Sequence, residues 1–237
     1  MNKIDDFQGI YGLDVVMLFG STARKDDDYN SDIDIFVLVN DNLSELEKEH
    51  VINNVINLIS KKNINVSLYT KEIFTKMLKD GSMFLWHLNL EGKYIFNRSE
   101  ENIFKDLNEF RAYEKNFNLY QDLFNEVKTS LLNNSINSYD LSMLFFICRN
   151  LCLLTCFKLG TPNFGRYSAY KNLIVNIGYE PLNWDSYTYL SKWRIDYTRG
   201  IDEELQYPQW NELSILLSGV EELFRCSKNI ICSEGME

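Results

Sequence analysis

The chain has 237 residues, 45% of them hydrophobic, and a formal charge of −10. That is enough for one large or two small domains with a real core, and 3 prolines with 11 glycines argue against long linkers and low-complexity tracts. Both halves are acidic, with 11 Lys and Arg against 15 Asp and Glu in residues 1–98 and 13 against 19 in the rest, so a polyanion is disfavoured as the main partner and a cationic small molecule or a protein is favoured.

Residues 2–12 read as a short helix or lead-in that lacks the apolar centre of a signal peptide. No uninterrupted apolar run reaches the roughly 20 residues of a membrane span. The expectation is a cytoplasmic protein with no membrane partner. Five cysteines, an odd number, fit a reducing compartment.

Gly12 turns the chain into an apolar run, Val15 to Phe19, that reads as a first strand and stops at Gly20-Ser21. Gly20 permits a sharp turn, and Ser21 opens a short helix whose free N–H groups and positive dipole end favour an anion. Thr22 and Arg24 add a hydroxyl and a fixed positive charge suited to phosphate. Asp26-Asp27-Asp28 reads as a solvated loop. A second strand then carries Asp32 and Asp34, which project to one face while Ile33 and Ile35 take the other. Two carboxylates so close repel unless a cation or strong donor lies between them. Mg²⁺ suits the place, because it binds through one or two carboxylates with water and phosphate oxygens.

Gly20-Ser21 followed by Asp32-Ile33-Asp34-Ile35, in the form FGSTAR … SDIDIFV, resembles the signature of the polymerase-β-type nucleotidyltransferases. It is most similar to the small bacterial members, which include antibiotic nucleotidyltransferases and the minimal nucleotidyltransferases of toxin–antitoxin pairs. The resemblance implies that the Gly-Ser turn holds an NTP triphosphate and that the two aspartates hold Mg²⁺.

After a turn at Asn40 to Asn42, Ser44 to Lys62 reads as an amphipathic helix with Leu46, Val51, Val55, Leu58 and Ile59 inward. Ile64 to Tyr69 reads as a third strand, in a mixed sheet with helices on one side. Active members of the family usually carry a third carboxylate on this strand. Here the candidate positions are Asn65 and Ser67, neither of them an acid. Several antibiotic-modifying relatives take their base from the second domain instead. Residues 71–80 read as a helix, followed by a short apolar helix, a Glu91-Gly92 turn and a fourth strand at Tyr94 to Phe96. His87, among Leu85, Trp86, Leu88 and Leu90, reads as a satisfied core or interface residue.

From about Ser99 the signals become helical, over 100–133, 138–159, 165–178, 184–199 and 209–230, separated by turn clusters. Cys148, Cys152 and Cys156, four apart, read as small core residues of one helix stripe rather than zinc ligands. Some helical domains paired with minimal nucleotidyltransferases are RNases with an Arg-x4–6-His motif. Arg149 has no such His, and His50 and His87 lie outside this domain. Around Arg166, Tyr167, Tyr170 and Lys171, and again at Trp193 to Arg199, Arg, Lys and Tyr could cover a nucleotide, with Asp196 or Glu180 as acceptor base. The competing reading is a helix surface with Tyr packed inward.

The sequence therefore predicts an α/β (α+β) chain, with a mixed-sheet nucleotidyltransferase domain over residues 1–98 and a helical bundle over 99–237. The expected activity is Mg²⁺-dependent transfer of an NMP from an NTP to a hydroxyl of an aminoglycoside-like antibiotic, a protein or a tRNA. Asp32 and Asp34 would be the catalytic and metal residues, and Gly20, Ser21 and Arg24 the nucleotide-binding ones. The alternative is a non-catalytic, nucleotide-binding, antitoxin-like protein that holds a partner. The cleft could be completed within one chain or across a homodimer.

Overall fold

The computed structural model describes residues 3–26, 31–59, 63–200 and 205–232, with side chains from Asp6 onward. Asp27, Asp28 and residues 60–62 of the expected helix lie outside them. The chain forms two compact units, residues 1–111 and 112–237.

The first unit runs α1 (Lys3–Gln8), β1 (Leu13–Phe19), α2 (Gly20–Arg24), β2 (Ile33–Val39), α3 (Glu45–Ile59), β3 (Ile64–Thr70), α4 (Lys71–Lys79), α5 (Met83–Glu91) and β4 (Lys93–Asn97). The four strands form one sheet in the order β3-β2-β1-β4. β1 is antiparallel to β2 and β4, whereas β2 and β3 are parallel. α3 starts with a capping box, in which Ser44 N–H donates to Glu47 Oε2 at 2.8 Å and Glu47 N–H to Ser44 Oγ at 3.4 Å.

Helices cover both faces of this sheet, not one. Ile35, Val37 and Val39 pack with Phe7 of α1 and with Val51 and Val55 of α3. Phe36 and Leu38 pack with Phe74 and Leu78 of α4 and Leu85 and Leu88 of α5. The reason is in β2 itself, where the residues after Asp34 are apolar on both faces, so each face needs a cover. In β1, register shifts between Leu13 and Val15 and between Val16 and Met17 keep Leu13 and Val16 on one face and Val15 and Met17 on the other.

Residues 99–112 are not the start of a long helix. Ile103, Phe104 and Leu107 pack onto the α4/α5 face of the sheet, Phe104 nearly fully buried. Local and tertiary bonds replace a helical ladder: Asn102 Oδ1 accepts from Phe104 N–H at 3.0 Å, and Asn108 N–H and side-chain amide donate to the carbonyls of Leu78 and Lys79 at 3.0 and 2.8 Å.

The second unit consists of α6 (Tyr113–Asn133), α7 (Ser138–Lys158), α8 (Ser168–Ile177), α9 (Trp184–Arg199) and α10 (Trp210–Ile231). α7 is long and apolar enough to cross a membrane, but 72% of that stretch is buried. Cys148, Cys152, Cys156 and Cys226 are buried and Cys232 is exposed. Burial pushes the thiols of Cys148 and Cys156 up to about 12. A thiol reagent should therefore titrate only Cys232 in native protein and all five cysteines after unfolding, a count that absorbance can follow directly.

The aromatic residues of α8 and α9 mostly face inward. Tyr170 and Tyr187 are fully buried and stack at 4.4 Å, and Tyr187 Oη donates to the carbonyl of Arg166 at 2.8 Å. Lys171 lies 4.8 Å over the Trp184 ring. Arg149 donates to the carbonyl of Phe164 at 2.6 Å. The region read as a nucleotide cover is built largely as packing.

Candidate functional site

The register of the sheet assembles the site. Asp34 is level with Phe19 of β1 on one side and Asn65 of β3 on the other. Because β1 and β2 are antiparallel, Gly20, the residue after Phe19, turns over the start of β2. There Gly20 has φ +72, and a Cβ on it would collide with Oδ2 of Asp34. The turn needs glycine for its backbone and for the carboxylate beneath it. The structure thus brings Gly20 and Asp34 together from opposite ends of the motif.

Ser21 is half-buried in α2, and its carbonyl accepts from Asp26 N–H at 3.1 Å. α2 ends at Lys25, which has a left-handed φ of 66. Asp32 is exposed, one residue before β2, so the strand proper begins at Ile33.

Asp34 is partly buried, and Asn65 Nδ2 donates to its Oδ1 at 3.2 Å. Burial raises its carboxyl above the ordinary value, helped by the Asp32 charge and opposed by the Asn65 hydrogen bond, His87 and Arg24. The Asp32 and Asp34 charges repel each other, a repulsion that a hard divalent cation would relieve. Asn65, one of the two positions where a third acid was sought, meets Asp34 with a neutral amide.

Arg24 was expected to face phosphate. Its Nη1 instead lies 2.8 Å from Oε2 of Glu91 and its Nε 3.1 Å from Oδ2 of Asp26. The same Glu91 oxygen lies 3.1 Å from Nε2 of His87. His87 also presents edge-on to Phe19, with ring centroids 5.7 Å apart. It is the satisfied residue that its apolar setting suggested, but it belongs to the surroundings of Asp34.

Sequence reasoning took Glu91 only as a turn residue. Its partner Arg24 is 67 positions away, and the only local hint was the i,i+4 spacing of His87 and Glu91 on one helix face. Burial works to raise the Glu91 pKa, but hydrogen bonds from His87 and Arg24 win, and the carboxyl sits below its ordinary value. An acid depressed in this way stabilises the fold fully above its unfolded pKa, near 4.3, and loses that contribution as pH falls through the folded value. Glu91→Gln should thus cost about 1.5–3 kcal/mol at pH 7, the range for hydrogen bonds to charged groups. The difference should shrink in thermal melts taken from pH 6 down to pH 3.

Residues 2–101 match the family model described as "Polymerase beta, Nucleotidyltransferase". None of the curated proteins matches the chain. Among solved structures, the chain is similar to the spectinomycin adenyltransferase AAD(9) of Enterococcus faecialis, with ATP and spectinomycin, at 13% identity and TM-score 0.48, over 95% of this chain and 98% of that one. It is also similar to a toxin–antitoxin complex with AMP-PNP, at 24% identity and TM-score 0.29, over 55% of this chain and 94% of the other. A mutant of the toxin–antitoxin MntA–HpeT gives 20% identity and TM-score 0.29 over the same shares. The sheet, its Gly20-Ser21 turn and Asp32 and Asp34 all lie within residues 2–101, the part of the chain that matches this nucleotidyltransferase family.

Proposed function

We propose that the chain transfers an NMP from an NTP to an acceptor hydroxyl, with release of pyrophosphate. The observation that carries this reading is the register that sets the Gly20-Ser21 turn against the Asp34 carboxylate, inside the nucleotidyltransferase domain. In this reading Gly20 and Ser21 receive the β,γ-phosphates through backbone N–H groups, and Arg24 closes the same element. Asp32 and Asp34 would hold Mg²⁺, whose chemistry is to neutralise phosphate charge. Most of the rate would come from positioning and charge stabilisation. The chain's own residues then set the geometry: Asn65 fixes the Asp34 carboxylate, and the half-buried position of Asp34 strengthens every charge interaction made there.

The acceptor is proposed to be a cationic, hydroxyl-bearing small molecule of the aminoglycoside type, because both halves of the chain are acidic. The test is incubation with Mg²⁺ and each α-labelled NTP, with an aminoglycoside panel or a cell extract, and separation into small-molecule, RNA and protein fractions. Label in the small-molecule fraction supports the reading; label in RNA or protein moves the acceptor class; no label anywhere removes transfer.

A second reading has one observation in its favour. Asn65, one of two strand positions that carry no acid, puts a neutral donor on Asp34, which fits a protein that binds nucleotide without turning it over. Asn65→Asp separates the two. It exchanges the hydrogen bond for a third negative charge, so melting temperature without divalent ions should fall and its rise on adding Mg²⁺ should exceed that of the wild type. Transfer that appears only in this variant would favour the non-catalytic reading for the natural chain.

A further inference from the structure

We infer that the corner Glu91-Gly92-Lys93 is a positioning clasp for the Gly20-Ser21 turn, and that Arg24 is a strut of this clasp rather than a phosphate ligand. This rests on the functional reading above.

α2 has only five residues, too few to hold its own conformation, so its geometry over Asp34 depends on tertiary ties. Besides its packing on β1 and β2, α2 has two polar side-chain ties that come from one corner. β4 pairs with β1 so that Lys93 lies level with Leu18. From there Lys93 Nζ donates to the carbonyl of Ala23, a buried residue of α2. Glu91 takes Arg24 at 2.8 Å. Through His87, edge-on to Phe19, the same carboxylate also braces the residue that leads into Gly20. Gly92 lets the corner fit, since a Cβ there would collide with the Leu88 carbonyl and come within 2.7 Å of Met17 Cε.

Charge decides the role of Arg24. Its guanidinium already faces two carboxylates, Glu91 at 2.8 Å and Asp26 at 3.1 Å, so the cluster has no surplus positive charge to offer a triphosphate. Its side chain is 18% exposed, and turning it toward a ligand would leave the partly buried Glu91 short of its main counter-charge. A strut matches both facts.

The two roles give opposite signs for one variant. If Arg24 binds phosphate, Glu91→Gln releases it and removes a repelling carboxylate, and NTP binds more tightly. If Arg24 is a strut, Glu91→Gln loosens the turn and NTP binds more weakly, by about tenfold or more for the loss of a charge-assisted bond. Fluorescent ATP and Mg²⁺ titrated into wild type, Glu91→Gln, Arg24→Gln and the double variant give the cycle, and the double should be no weaker than the worse single. Hydrogen exchange in nucleotide-free protein is the second readout, with faster exchange expected at residues 21–25 in each variant. Should Glu91→Gln not fold, Lys93→Met cuts the other tie and carries the same two expectations. Tighter or unchanged nucleotide binding, additive losses, or unchanged exchange would each overturn the inference. Wild-type protein that binds no nucleotide would overturn the functional reading and the clasp's purpose together, a result distinct from binding that the variants leave untouched.

Discussion

Asp34→Asn should abolish transfer while leaving the fold at least as stable as the wild type. The loss expected is a thousandfold or more, about 4 kcal/mol, because the half-buried carboxylate beside Asp32 would hold the cation that neutralises phosphate charge, and a neutral amide cannot. The stability half follows from the sign of the pKa shift. Asp34 is raised on folding, burial being the largest cause, so its ionised form is worse placed in the native state than in the unfolded chain. Near neutral pH that penalty is present, and it fades as pH falls through the raised folded value and the wild-type carboxyl protonates. In buffer free of divalent ions, the variant should therefore melt at or above the wild-type temperature at pH 7, and the difference should close toward pH 4. A variant that melts well below wild type at pH 7 would make Asp34 a structural residue. Unchanged turnover would remove its assigned chemistry.

What the sequence made legible is what short-range pattern controls. An apolar run with the two aspartates set into it located β2, period-two alternation located β3, the Gly20-Ser21 stop ended β1 at Phe19, and the Asp-x-Asp spacing gave the pair at Asp32 and Asp34. The Glu91-Gly92 turn and the strand after it were legible for the same reason. Residues 100–112 were misread because Ile103, Phe104 and Leu107 repeat with a helical period. That period reports one buried face, and here the face is made by turns packed against α4, α5 and the sheet. The helices on both sides of the sheet were also there to be read in the unbroken apolar run of β2. The ties of Arg24 and Lys93 were not, because each joins residues about 70 positions apart that only the pairing of β1 with β4 brings together.

Gly20→Ala should damage the site out of proportion to the fold, and Gly160→Ala is the control that shows it. Both glycines sit in the left-handed region, at φ +72 and +73, where an L side chain costs about 1–2 kcal/mol. They differ in what a methyl group would meet. At Gly160 there is nothing within 4 Å, so strain is the whole effect. At Gly20 the methyl collides with Oδ2 of Asp34, and either the turn lifts off β2 or the carboxylate swings away from its Asn65 hydrogen bond. Misplacement of about 1 Å in a reacting constellation costs on the order of a hundredfold in rate. Urea unfolding should thus show losses of about 1–2 kcal/mol in both variants, slightly larger for Gly20→Ala. Label transfer should fall roughly a hundredfold in Gly20→Ala and stay at the wild-type level in Gly160→Ala. Equal losses of transfer in the two would mean that general stability, and not the seat of the turn on Asp34, limits activity. Full transfer in Gly20→Ala would mean that the phosphates do not need this turn where it lies.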